Sequence, residues 1–90
     1  FREAKLHNAS FVGGDLEGAD FRGALLDGTN FTGASVFGAT FAPEPQDPPS
    51  VRAARVSGSA GQMIPLTNEQ FTSLSPAQQA FCERLGVVEK

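Results

Sequence analysis

Ala19-Asp20-Phe21-Arg22-Gly23-Ala24-Leu25-Leu26-Asp27-Gly28-Thr29-Asn30-Phe31-Thr32-Gly33 repeats three chemical columns every five residues. A large apolar residue (Phe21, Leu26, Phe31) is preceded two places earlier by a small one and followed two places later by glycine. Outward from this stretch, the large column extends to Phe1, Leu6, Phe11 and Leu16 on one side and to Val36 and Phe41 on the other. The small column comprises Ala4, Ala9, Gly14, Ala19, Ala24, Thr29, Ala34 and Ala39. Glycine occupies positions 13, 18, 23, 28, 33 and 38. A step of five is neither a helix stripe, which needs steps of three and four, nor a strand alternating by two. A short period kept this strictly points to an architecture of stacked repeats.

The order small–polar–large–any–any, as in Ala19-Asp20-Phe21-Arg22-Gly23 and Thr29-Asn30-Phe31-Thr32-Gly33, resembles the pentapeptide-repeat family. The resemblance covers residues 1–42, with Leu25 standing where a polar residue is usual and Gly14 and Thr29 in place of alanine. It implies an all-β solenoid, a right-handed quadrilateral β-helix with four pentapeptides to a coil of twenty residues and about two coils in this chain. The nine large residues Phe1, Leu6, Phe11, Leu16, Phe21, Leu26, Phe31, Val36 and Phe41 are then the structural core. Stacking would put Phe1, Phe21 and Phe41 in one column, Leu6 on Leu26, Phe11 on Phe31 and Leu16 on Val36. Glycine after the anchor suits a turn, since it takes positive φ without a Cβ clash.

Coils paired by β-type hydrogen bonds lie about 4.8 Å apart, so two of them make a slab only about 10 Å thick. Such a slab exposes both ends and needs caps. Phe1 is itself an inward anchor and no methionine precedes it, which leads to the expectation that more coils or a partner lie upstream. Ninety residues make one domain, and a chain this short has a marginal core unless its geometry is very regular. Seven Lys+Arg stand against ten Asp+Glu, a formal charge of −3, which argues against nucleic acid as a partner. No apolar run approaches the roughly 18 residues needed to span a bilayer.

The period stops after Phe41, where Pro43, Pro45, Pro48 and Pro49 follow. Proline fixes φ and removes a donor, so residues 43–65 read as an irregular, extended linker rich in Pro, Gly and Ser. Two readings stand for it: a flexible connector, or an arm that orders on a partner through Arg52, Arg55, Val51, Val56, Met63 and Ile64. Residues 66–90 read as a helical cap. Thr67 and Gln70 fit a capping box, and Ser75-Pro76 fits an N-cap followed by proline at the first helical position. The spacing predicts short helices over 68–73 and 76–85, stopped at Gly86. Phe71, Leu74, Phe81 and Leu85 would cover the open end of the coils or, alternatively, a partner. Cys82, the single cysteine, excludes an internal disulfide framework and reads as a buried structural thiol, with a redox role as the alternative.

The tail is also similar to those that follow the repeats in family members of the thylakoid lumen. The similarity runs from Leu66-Thr67-Asn68-Glu69-Gln70 to Gln78-Gln79-Ala80-Phe81-Cys82. It implies a soluble or peripheral protein in the lumen of a plastid or cyanobacterium, although such proteins usually carry more cysteines.

Catalysis finds no support in these residues. His7 is the only histidine, so no ligand cluster and no base–nucleophile pair can be assembled around it. The glycines stand singly at turns and do not form a phosphate loop. The sequence thus implies no catalytic residue, no cofactor and no metal. What remains is presentation of a rigid surface by an accessory or scaffolding subunit that docks on a multisubunit complex, in the lumenal case a photosystem or other photosynthetic membrane complex. Phe37, in an outward column, is either a partner contact or covered by the tail. The alternative comes from family members that mimic DNA and protect topoisomerases. Two coils rise about 10 Å, about three base-pair steps of ~3.4 Å, and the charges here are mixed.

Overall fold

The computed structural model describes residues 1–56, 65–85 and 88. The chain passes over itself every twenty residues through parallel β-bridges between Lys5 and Leu25, Ser10 and Asn30, Asp15 and Ser35, and Asp20 and Thr40. Residues 1–20 and 21–40 are the first and second coils. Contrary to the expectation of an all-β solenoid over residues 1–42, no strand forms among the described residues, and every bridge is isolated.

The reason lies in the five-residue step. After each anchor the backbone turns, and the N–H of the next small residue donates to the anchor's carbonyl, as from Ala24 to Phe21 at 3.0 Å and from Ala34 to Phe31 at 2.9 Å. The third residue of such a turn takes positive φ, +75° at Gly23, which defines a type II turn. Only the short stretch between turns stays extended, long enough for one bridge. Asp15, Asp20 and Asn30 brace the turns by accepting, through a side-chain oxygen, the backbone N–H two residues on. Glu3 and Asn8 occupy the glycine column with φ of +55° and +59°, a region that a glutamate rarely adopts. Gly23 lies against Glu3, whose Cγ would be 2.9 Å from any Cβ placed there.

Inside, the rings of Phe1, Phe21 and Phe41 stack at centroid distances of 5.3 and 5.2 Å, and Phe11 stacks on Phe31 at 5.6 Å. The two ladders meet edge to face, Phe21 against Phe31 at 85°. Both geometries are favoured by the ring quadrupole. Phe21, Leu26, Phe31, Val36 and Phe41 are buried, as is Leu16, whereas Leu6 and Phe11 are partly buried and Phe1 is half exposed. Thr29, in the small column, is buried with its hydroxyl donating to the carbonyl of Leu6 at 2.8 Å.

The Pro-rich stretch does not simply leave the coils. Ala54 N–H donates to the carbonyl of Phe41 at 2.7 Å, the bond that Ala24 makes to Phe21. Arg55 then bridges Leu25, Ala54 is buried, and Val56 packs against the core. The column Ala4, Ala24 is therefore continued by Ala54. Residues 42–53 take the place of the two-residue tip Arg22-Gly23, as an excursion from one corner. Two turns shape it, with Asp47 N–H on Glu44 O and Val51 N–H on Pro48 O. Expectations that fell on residues 57–64, including Met63 and Ile64, and on Gly86 lie outside the described residues.

Two helices follow, α1 (Asn68–Thr72) and α2 (Pro76–Leu85). The capping box is formed: Thr67 Oγ1 accepts from Gln70 N–H, and Gln70 Oε1 accepts from Thr67 N–H. Leu66, Leu74 and Cys82 join the buried core, with Phe71, Phe81, Leu85 and Val88 packed against it. Two buried glutamines connect the helices to the last coil. Gln70 Nε2 donates to the carbonyls of Phe31 and Ala34 at 2.6 and 2.8 Å. Gln78 Oε1 accepts from the N–H of Phe41 at 2.7 Å and of Ala42 at 3.1 Å, and its Nε2 donates to Ala42 O at 2.9 Å.

Gln78→Ala leaves the Phe41 N–H buried without an acceptor, and each such group costs about 1–3 kcal/mol. The expected loss in urea-unfolding free energy is about 2–4 kcal/mol. Glu83→Ala, on the exposed side of α2, is expected to change stability by less than about 0.5 kcal/mol.

Candidate protein-interaction surface

The turns and outward columns give the coils their surface. Phe37 follows the buried anchor Val36 and so points outward, where 63% of it is exposed. Among the described residues, the tail leaves it open to solvent. Beside it lies a cleft of about 370 Å³ between residues 33–37 of the coil and Thr67, Glu69, Gln70 and Ser73. One wall is backbone held by coil hydrogen bonds, and the other is the capped start of α1. The cleft thus joins an exposed ring to hydroxyl and carboxylate groups on a preformed support.

A second surface is basic. Arg55 extends the bridge position of Lys5 and Leu25, and Arg52 and Arg55 border a groove of about 190 Å³ that Lys5 and the acidic Glu3 also line. Arg52 is exposed, with Nη2 3.1 Å from Glu3 Oε1. Of the four sequence-proposed contacts, Phe37, Arg52 and Arg55 are exposed, and Val56 is partly buried against the core. Phe37 lies in a different pentapeptide column from the two arginines, so the structure does not bring all four together.

An ion network fixes the Pro-rich excursion to the coils. Arg22 Nε lies 2.8 Å from Asp20 Oδ1, and the same guanidinium reaches Asp47 across the excursion. Arg2 Nε adds a contact to Asp20 at 3.0 Å. Asp47 Oδ2 also accepts the N–H of Glu44 at 2.7 Å. The hydrogen bonds from Arg22 hold the Asp20 carboxyl down at about 2. They also lower Asp47 from the usual carboxylate range, with help from the Glu44 N–H. No sequence pattern announced this clasp, because Arg22 and Asp47 are far apart in the chain and the excursion follows no period.

His7 is exposed, with Nδ1 3.8 Å from Asp27 Oδ2. Cys82 is buried, and burial pushes its thiol up to about 12, so the nucleophilic thiolate is scarce at neutral pH. Among the described residues, no three His, Cys, Asp or Glu side chains gather in a way that could hold a metal ion. No described helix is long and apolar enough to cross a membrane.

The sequence model of the pentapeptide repeats matches residues 1–41, in eight copies. No curated protein and no solved structure gives a significant match to the chain.

A carboxyl lowered on folding stabilises the folded state above its unfolded pKa, and that contribution is lost as the pH falls through the folded value. For Asp20, stability is therefore expected to be complete above the ordinary value of 3.8 and to decline toward about 2. Arg22→Gln should flatten this acid limb in a pH series of thermal unfolding. An unchanged slope would mean that the clasp does not contribute.

Proposed function

Since residues 1–41 belong to the pentapeptide-repeat family, we propose that the chain is a non-catalytic protein-interaction module, an accessory or scaffolding subunit that docks on a larger protein assembly. The architecture we infer for its repeats is the family's right-handed, four-sided β-helix. A bridge every five residues and a layer every twenty support it. The observation that carries the functional reading is Phe37, a large ring 63% exposed at the edge of a preformed cleft. A rigid support of this kind loses little conformational entropy on binding, so modest contacts suffice for affinity.

Arg52 and Arg55 supply a second, basic contact region on the same rigid body. The tail's similarity to lumenal family members is the ground for placing the protein in the thylakoid lumen, with a photosynthetic membrane complex as the assembly. Sequestering Phe37 would contribute about 1.5–3 kcal/mol, enough for about a tenfold or greater change in affinity.

Native-gel fractionation of the source cells, with mass spectrometry for this chain, tests the reading. The expected result is co-migration with a large complex and its loss, by about tenfold or more, in a Phe37→Ser variant whose folding is unchanged. Migration as a small separate species in both forms would overturn it.

A further inference from the structure

The chain is acidic overall, with seven Lys+Arg against ten Asp+Glu. Five of those seven cations nevertheless gather around one corner of the coils and the side that follows it. Arg2, Arg22 and Arg52 line a groove of about 160 Å³ at the corner. Lys5, Arg52 and Arg55 line the groove of about 190 Å³ beside it. Each groove takes its lining from three successive layers of the wall, so both lie on the lateral surface and not at an end.

The cations differ in what they hold. Arg22 is clasped to Asp20 and Asp47 with only 15% of its side chain exposed, and Arg2 holds Asp20 at 3.0 Å. Lys5 and Arg55 are exposed and form no ion pair among the described residues. Arg52 stands where the two grooves meet. Its carboxylate partner is Glu3, at 3.1 Å, and the two side chains are 72% and 65% exposed. An ion pair this open to water contributes little to stability, so it can part without cost to the fold.

Glu3 is the anomalous residue of this corner. It holds a position of the glycine column at φ +55°. Asn8, in the same column, is of a type that tolerates this region, whereas glutamate is not. Backbone strain of this kind persists where it serves a function. The Glu3 stem lies against Gly23 of the next layer, whose missing side chain leaves it room, and the carboxylate reaches Arg52 in the layer beyond.

We propose that the two grooves form one docking track for an acidic peptide segment of a partner protein, and that Glu3 is the built-in occupant which that segment displaces from Arg52. Such a track rests on the reading of the chain as an interaction module and is a surface separate from Phe37. Lys5, Leu25 and Arg55 share one bridge column, which sets Lys5 and Arg55 about 10 Å apart, two layer spacings. An extended segment advances about 3.3 Å per residue, so carboxylates two or three residues apart match that column. Leu25 and Ala53 also line the track and offer apolar contact to the methylene stems. Nucleic acid fits less well. Among the described residues the grooves carry no aromatic ring on which a base could stack, and the net charge of −3 repels a polyanion.

Fluorescence anisotropy with a labelled octapeptide of alternating glutamate and alanine tests this, with a glutamine–alanine octapeptide as control. The expected result is saturable binding of the first peptide alone, weakening as salt is raised. Glu3→Gly should tighten that binding about two- to fivefold, the scale of an exposed ion pair. Its thermal stability should be unchanged or raised, because glycine relaxes the turn. Arg55→Gln should weaken binding by about the same factor, with unfolding unchanged. Absence of saturable binding, equal binding of both peptides, or no gain in Glu3→Gly would overturn the proposal. So would tighter binding of a DNA duplex or of vesicles containing anionic lipid. Co-migration on native gels is read through Phe37→Ser, so a failure of peptide binding leaves that result standing, and the reverse also holds.

Discussion

Every layer of this molecule depends on the backbone groups that point along the coil axis. A chain that turns every five residues cannot satisfy its N–H and C=O groups within one coil, apart from the single bond that closes each turn. Each remaining group must find a partner in the next layer or in water. Where a following coil exists, the match is regular, as between Leu25 N–H and Ala4 O or Leu6 N–H and Leu25 O. Where the repeats end, something else must supply the same groups at the same spacing.

At the C-terminal end the substitutes are side chains. The amide of glutamine carries a carbonyl and an NH₂ group, the same donor and acceptor types as a peptide unit. Gln78 accepts from Phe41 as a following coil would, and Gln70 donates to Ala34. Both are almost fully buried, so the helices contribute backbone mimics as well as apolar cover from Leu74 and Cys82. The Arg22 clasp has a related role at the corner, since it holds the excursion of residues 42–53 where Ala54 can rejoin the ladder.

Much of this was legible in the chain itself, because the repeat is local. The anchors, their stacking partners, the positive φ of the glycine column and the Thr67–Gln70 box all follow from spacings of two to five residues, or from the twenty-residue layer that such spacings build. What escaped depends on distant partners. Gln70 and Gln78 look like ordinary helix residues until the coil edge is set beside them. The return at Ala54–Val56 is three residues long, too short to stand out after so many prolines. The resemblance implies an all-β solenoid, yet the turn after every anchor leaves room for one bridge at a time. In the candidate surface, Phe37 was readable from its outward column, whereas the separation between it and Arg52 and Arg55 needed the three-dimensional structure.

The corner after Phe41 has a consequence for how such a chain can grow. Register between layers is set by the inward anchors and the bridge residues, whereas the tip of a turn points its side chains outward and adds a single axial bond, as from Glu3 N–H to Arg22 O. Replacing Arg22-Gly23 by residues 42–53 leaves the ladder intact, with Arg55 on Leu25 at thirty residues' separation instead of twenty. Loop closure grows only logarithmically with length, about 0.6 kcal/mol per doubling. A corner is therefore a port through which foreign sequence can enter a stacked coil without disturbing its layers, and new binding loops can be gained one corner at a time.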